Sequence, residues 1–105
     1  MHKNAPLVFT SPRLFVNNLP YSATEEELRL IFEEDGWAVV DARVIFDRAT
    51  GLSRRFGFVE LESIQDARQA QKSLDGFVLR DEKLDIYPAK DDPDPRSGWG
   101  ERRRR

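Results

Sequence analysis

An α+β fold of the split β-α-β type is predicted for this chain: a four-stranded antiparallel sheet with two helices packed on one face. Three observations predict it. Four short segments rich in β-branched and aromatic residues alternate apolar with polar side chains. Two further segments repeat their apolar residues at helical spacing behind a capping residue. Their order along the chain is β-α-β-β-α-β, without internal repeats.

Residues 14–17 read as the first strand, with Leu14 and Val16 on one side and Phe15 and Asn17 on the other, and Pro20 ends it. Thr24 opens the first helix: Thr24-x-x-Glu27 is a capping box, and the acidic first turn suits the helix dipole. Leu28, Ile31 and Phe32 form its apolar stripe, and Asp35-Gly36 stops it. The β-branched run 39–46 is the second strand. Trp37 stands just before it, and its register is left open by one position. A loop over 47–53 holds the Thr50-Gly51 turn, and residues 55–61 form the third strand. Ser63 caps a second helix that carries Ile64, Ala67, Ala70, Gln71 and Leu74 along one side and stops at Asp75-Gly76. Residues 83–87 read as the last strand, with Leu84 and Ile86 on one face.

A chain of 105 residues with 39% hydrophobic content supports one core, not two. Residues 1–12 read as a flexible leader, ordered where Leu7 and Phe9 meet the domain. Residues 13–90 form that domain, and 91–105, with its acids, prolines, glycines and arginines, reads as a disordered Arg-rich tail. No apolar run reaches the roughly 20 residues of a membrane helix, and the amino end lacks a signal-peptide layout. The chain has no cysteine, hence no disulfide, thiol nucleophile or zinc-thiolate site. A reducing compartment fits: the cytoplasm, or the nucleus in a eukaryote. His2 is the only histidine and lies in the leader, and no acid pair is placed in a cleft beside a base, so neither catalysis nor a cofactor is expected.

Strand parity identifies the surface that matters. In Arg54-Arg55-Phe56-Gly57-Phe58-Val59-Glu60-Leu61, the residues Gly57, Val59 and Leu61 share the core side, which turns Arg54, Phe56 and Phe58 away from it. The same alternation sets Phe15 and Asn17 on the open face. It adds Arg43 and Ile45 from the second strand, and Lys83, Asp85 and Tyr87 from the last. Rings exposed on a sheet and ringed by cations suit flat anionic ligands, and nucleobases on a phosphate backbone are such ligands. The net charge of −2 means that this attraction must be local: Glu25, Glu26, Glu27, Glu33, Glu34 and Asp35 crowd the first helix, while Arg43, Arg48, Arg54 and Arg55 crowd the second and third strands.

These residues resemble the RNA recognition motif family over roughly 13–90. Leu14-Phe15-Val16-Asn17-Asn18-Leu19 matches the family's hexamer, and residues 54–61 match its octamer at Arg54, Phe56, Gly57, Phe58 and Val59. The layout also resembles small bacterial or phage proteins with a single such domain. The resemblance implies a ferredoxin-like fold and binding of single-stranded RNA, with single-stranded DNA left open, by a monomer. By that resemblance Phe15 and Phe58 each stack on a base, Phe56 packs against ribose, and Arg54 meets a phosphate. Base identity would be read by Asn17 and by groups near Ala89 and Lys90. Two positions depart from the pattern. Arg55 replaces the octamer glycine, adding a phosphate contact or crowding a nucleotide, and Leu61 replaces a core-side aromatic.

The bland reading of a Phe-x-Phe strand is core, covered by leader, tail or a second molecule; the hexamer ring on a separate strand shifts the balance to a ligand surface. The alternative function is a protein-interaction module that uses the acidic first helix. Domains of that kind carry an Arg-x-Phe loop before the last strand, and Gly76-Phe77-Val78-Leu79-Arg80 lacks one. The terminal run Arg102 to Arg105 reads as a nonspecific RNA arm, with a localisation signal and a solvated tail as the other readings.

Overall fold

A computed structural model of the chain describes residues 7–89. The elements are β1 (Arg13–Asn17), α1 (Glu25–Glu34), β2 (Val39–Phe46), β3 (Ser53–Leu61), α2 (Ile64–Leu74), β4 (Val78–Leu79), β5 (Glu82–Lys83) and β6 (Asp85–Pro88). Four strands form an antiparallel sheet in the order β2-β3-β1-β6, which is the expected ferredoxin-like arrangement. The first six leader residues, Lys90 and the tail expected over 91–105 lie outside the described residues.

Both helices start as their cap residues dictate. The Thr24 hydroxyl accepts from the Glu27 amide at 3.1 Å while the Glu27 carboxylate accepts from the Thr24 amide at 3.2 Å. Ser63 caps α2 through the Asp66 amide at 3.0 Å. Gly36 and Gly76, with φ of 97° and 88°, turn the chain out of the two helices as only glycine does without strain. Leu28, Ile31 and Phe32 from α1, with Ala67, Ala70 and Leu74 from α2, pack on Leu14, Val16, Val44, Val59, Leu61, Leu84 and Ile86. Fully burying a side chain such as Phe32 contributes roughly 1.5–3 kcal/mol. Buried Gln71 donates to the Ile86 carbonyl at 2.8 Å and so ties α2 to β6. Ile64 does not join the apolar side of α2; it is exposed.

Gly57 sets the spacing between β2 and β3. A Cβ at this position would overlap the carbonyl oxygen of Arg43 and sit 3.1 Å from its carbon, so the two backbones meet where only hydrogen fits. The register left open by Trp37 resolves as a bulge at Val40: Val39 pairs with Leu61 and Asp41 with Glu60, which restores the expected parity for Ala42, Arg43 and Val44.

Ahead of β1, Phe9 packs on the core beneath the Arg68 guanidinium, Ser11 is buried, and the Pro12 carbonyl accepts from the Leu61 amide at 2.9 Å. One boundary differs from expectation. The last strand begins at Asp85, not at residue 83. Lys83 instead pairs with Val78 in a separate hairpin that turns at Arg80 and Asp81, both left-handed with φ of 48° and 72°. Among the described residues no helix is long and apolar enough to cross a membrane.

Candidate nucleic-acid interface

The face of the sheet opposite the helices is laid out in cross-strand rows. The central row runs Arg43, Phe58, Phe15, Tyr87 across β2, β3, β1 and β6. On one side of it lies Phe56, Asn17, Asp85, and on the other Asp41, Glu60, Arg13. Phe15 is the hub. Its ring centroid is 5.3 Å from Phe56 with the rings stacked, 5.3 Å from Phe58 edge to face, and 5.2 Å from Tyr87. Ile45 packs at the margin of this cluster. The alternation read from the sequence therefore brings Phe15, Asn17, Arg43, Phe56, Phe58 and Tyr87 onto one surface.

The rings are not equally available. Tyr87 is 38% exposed, whereas Phe58 is only 7% exposed and shares a cluster with buried Ala89. Ala89 is held there by its amide on the Arg13 carbonyl at 3.0 Å and by the Ser11 hydroxyl, which donates to its carbonyl at 3.3 Å. The expectation of a base stacked on Phe58 thus meets a buried ring, packed with Ala89, Phe15, Ile45 and Phe56. Burial, with the Asp85 carboxylate adding to it, raises the pKa of Tyr87 above the ordinary phenol value, so the ring is neutral at physiological pH.

The cations are more dispersed than the sequence suggests. Arg43 lies on the face, 4.0 Å from Asp41. Arg54 is exposed at the head of β3. It faces a loop built on Asp47, whose side chain accepts from the Ala49 and Thr50 amides at 2.8 and 3.1 Å; those bonds, helped by the Arg54 charge, hold the Asp47 carboxyl below its usual range. Lys83 is exposed but stands on the small hairpin beside the sheet, its carbonyl accepting from the Asn18 side chain at 2.9 Å. Arg55 is turned to the β1–α1 loop: Nε donates to the Leu19 carbonyl at 2.9 Å, Nη2 donates to Asn18 Oδ1 at 3.3 Å and pairs with Glu82 at 3.2 Å. Sequence reasoning missed Arg13 and Glu60, buried neighbours on the same face, although each shares parity with a chosen aromatic.

The acids of α1 are largely engaged within the domain. Glu25 accepts from the Val44 amide at 3.0 Å. Glu27 grips Arg80 through two bonds of 2.9 and 2.7 Å, and Glu33 lies 3.7 Å from Arg29.

The comparisons with known proteins agree with this geometry. The 29 kDa ribonucleoprotein A, chloroplastic, of Nicotiana sylvestris is 39% identical over 84 residues, covering 80% of this chain and 30% of the relative. The glycine-rich RNA-binding protein 3, mitochondrial, of Arabidopsis thaliana is 43% identical over 82 residues, covering 78% and 26%. The chain thus spans about a third or less of these relatives' length. Their names place those proteins in chloroplasts and mitochondria and give no support to the expected cytoplasmic location. A solved Sxl-lethal protein/RNA complex superimposes with a TM-score of 0.71 at 32% identity, over 77% of this chain and 48% of that one. The family described as RNA recognition motif, a non-enzymatic RNA-binding family, matches residues 14–85. With the matching topology, both motifs and the aromatic rows in place, this chain belongs to the RNA recognition motif family.

Proposed function

We propose that the chain binds single-stranded RNA on the open face of its sheet. The observation that carries this reading is the ring cluster centred on Phe15, flanked by Arg43 and Asn17. A base stacks on Phe15 beside Tyr87, and Phe56 packs against ribose. Phe58 takes a second base when its packing with Ala89 opens. Arg43, Arg54 and Lys83 meet phosphates. Stacking contributes roughly 1–3 kcal/mol per base. Two bases and a few phosphate contacts therefore reach the ~8 kcal/mol of micromolar affinity. The protein works as a monomer, a reading supported by Glu25: it occupies the outward Val44 amide on edge strand β2, where a second copy would otherwise pair.

The test is salt dependence, measured by fluorescence anisotropy with a randomised single-stranded RNA pool and its DNA counterpart. Log affinity should fall with log salt by about 0.7 per phosphate engaged. Arg43→Ala and Arg54→Ala should each flatten that slope. Affinity independent of salt in the wild type would overturn the arginine roles, and stronger binding of the DNA pool would move the ligand class to DNA.

A further inference from the structure

We propose that Arg55, at the position where the family's octamer has glycine, is a positioning residue for RNA binding and not a phosphate ligand. It straps the β1–α1 loop and the β4–β5 hairpin around one end of the aromatic platform. This rests on the reading that the open face binds RNA.

The backbone shows why the family pattern has glycine here. Between the pairs Val44↔Gly57 and Phe46↔Ser53, β2 has one residue and β3 has three, so β3 bulges, and Arg55 sits in the bulge at φ 67°. A left-handed conformation is strained for a side chain as large as arginine. The strain is held by contacts on both sides of the peptide: the Arg55 amide donates to the Ser53 hydroxyl at 2.9 Å, and its carbonyl accepts from the Leu19 amide at 2.9 Å.

The side chain then uses that unusual direction. Its planar fork meets three different oxygens: the Leu19 carbonyl, the Asn18 amide oxygen and the Glu82 carboxylate. Its guanidinium carbon stands 4.9 Å from the centroid of the Tyr21 ring. Asn18, itself left-handed at φ 68°, closes the circuit by donating to the Lys83 carbonyl at 2.9 Å. One residue thus joins a loop, a strand and a hairpin that are otherwise far apart in sequence. The loop and the strand abut the platform: Asn18 follows Asn17, and Arg55 precedes Phe56, two residues paired in the row beside the central one. A phosphate at Nη2 would compete with Glu82 and Asn18 for the same nitrogen, whereas an ordered rim lowers the cost of binding by fixing Asn17 and Phe56 beforehand. Lysine offers one compact charge on a flexible stem and does not reproduce the planar fork that spans these three oxygens.

The experiment compares the wild-type chain with Arg55→Lys and Arg55→Gly. Affinity for the single-stranded RNA pool is measured across a salt series, and backbone amide NMR shifts are recorded in the free proteins. The strap predicts that Arg55→Lys, despite keeping its charge, loses roughly three- to tenfold in affinity, the scale of leaving one or two interface side chains to be ordered on binding. It predicts that Arg55→Gly loses a similar factor with the salt slope unchanged, and that both free variants shift the amides of residues 18–21 and 82–83. A folded Arg55→Lys that binds like wild type, alongside an Arg55→Gly whose salt slope drops by about 0.7, would make Arg55 a phosphate ligand. Wild-type affinity in both folded variants would remove any role in binding. Undetectable RNA binding by the wild type would fail the open-face reading itself, and with it the proposal for Arg55, while the free-protein shifts would still report whether the loop and hairpin depend on that residue.

Discussion

Gly57→Ala is the most informative single change to the sheet. The added Cβ would overlap the Arg43 carbonyl oxygen, 3.1 Å from its carbon and 3.2 Å from the Val44 Cα. All three atoms belong to the backbone of β2, so no rotamer change relieves the clash; the strand itself must move. Overpacking of this kind costs about 1–3 kcal/mol. The lower entropy of the unfolded alanine chain returns about 0.4–1 kcal/mol. The net loss of about 0.6–2 kcal/mol corresponds to a fall in Tm of roughly 2–16 °C for a domain of this size. Because Arg43 pairs directly across from Phe58, the displaced strand also carries a proposed phosphate contact out of place. Thermal denaturation followed by circular dichroism gives the first number, and RNA anisotropy below the transition gives the second. A Tm equal to or above that of the wild type would refute the close approach of β2 and β3.

Three further outcomes follow from the side chains. Phe15→Leu keeps an apolar side chain at the hub but removes the stacking ring, so it should fold and yet lose about 5- to 150-fold in RNA affinity, as the loss of 1–3 kcal/mol requires; isothermal titration checks it. The Glu27 carboxyl is held below its usual range, first by its hydrogen bonds to Arg80. A carboxyl depressed in the folded state stabilises above its unfolded pKa and loses that contribution as pH falls through its folded value. Arg80→Ala should therefore lower the urea midpoint slightly at neutral pH, and its curve should converge with the wild type in acid. Burial raises the Tyr87 pKa, and Asp85 adds to it, so Asp85→Asn should move that phenol down while leaving it above the ordinary value, as read by NMR titration of the Tyr87 ring.

The parts of the fold that depend on periodicity and caps were legible in the chain. Thr24, Ser63 and the alternation of 14–17 and 55–61 each encode a local preference that the packing reinforces. The β4–β5 hairpin was not legible, because its turn residues are Arg80 and Asp81, which lack the Asn-Gly signature of a left-handed pair. The direction of the Arg55 side chain was illegible as well. A sequence shows a cation at the mouth of a loop, but only the left-handed backbone at that bulge turns it from the sheet toward Leu19 and Glu82. The burial of Phe58 was illegible for a different reason: Ala89, which packs with it, is held by its own amide and carbonyl on the Arg13 carbonyl and the Ser11 hydroxyl, and an alanine side chain carries no signal of this. Arg13 and Glu60 were readable by parity and were overlooked because charged residues on a strand are usually taken as solvent-facing.

The central claim is that RNA occupies the face opposite the helices. Titration of the isotopically labelled chain with single-stranded RNA, followed by backbone and aromatic-ring NMR shifts, tests it most directly. The account predicts the largest shifts at Phe15, Asn17, Arg43, Phe56 and Tyr87, with α1 and α2 at background. Shifts concentrated on α1, with the sheet unmoved, would contradict it.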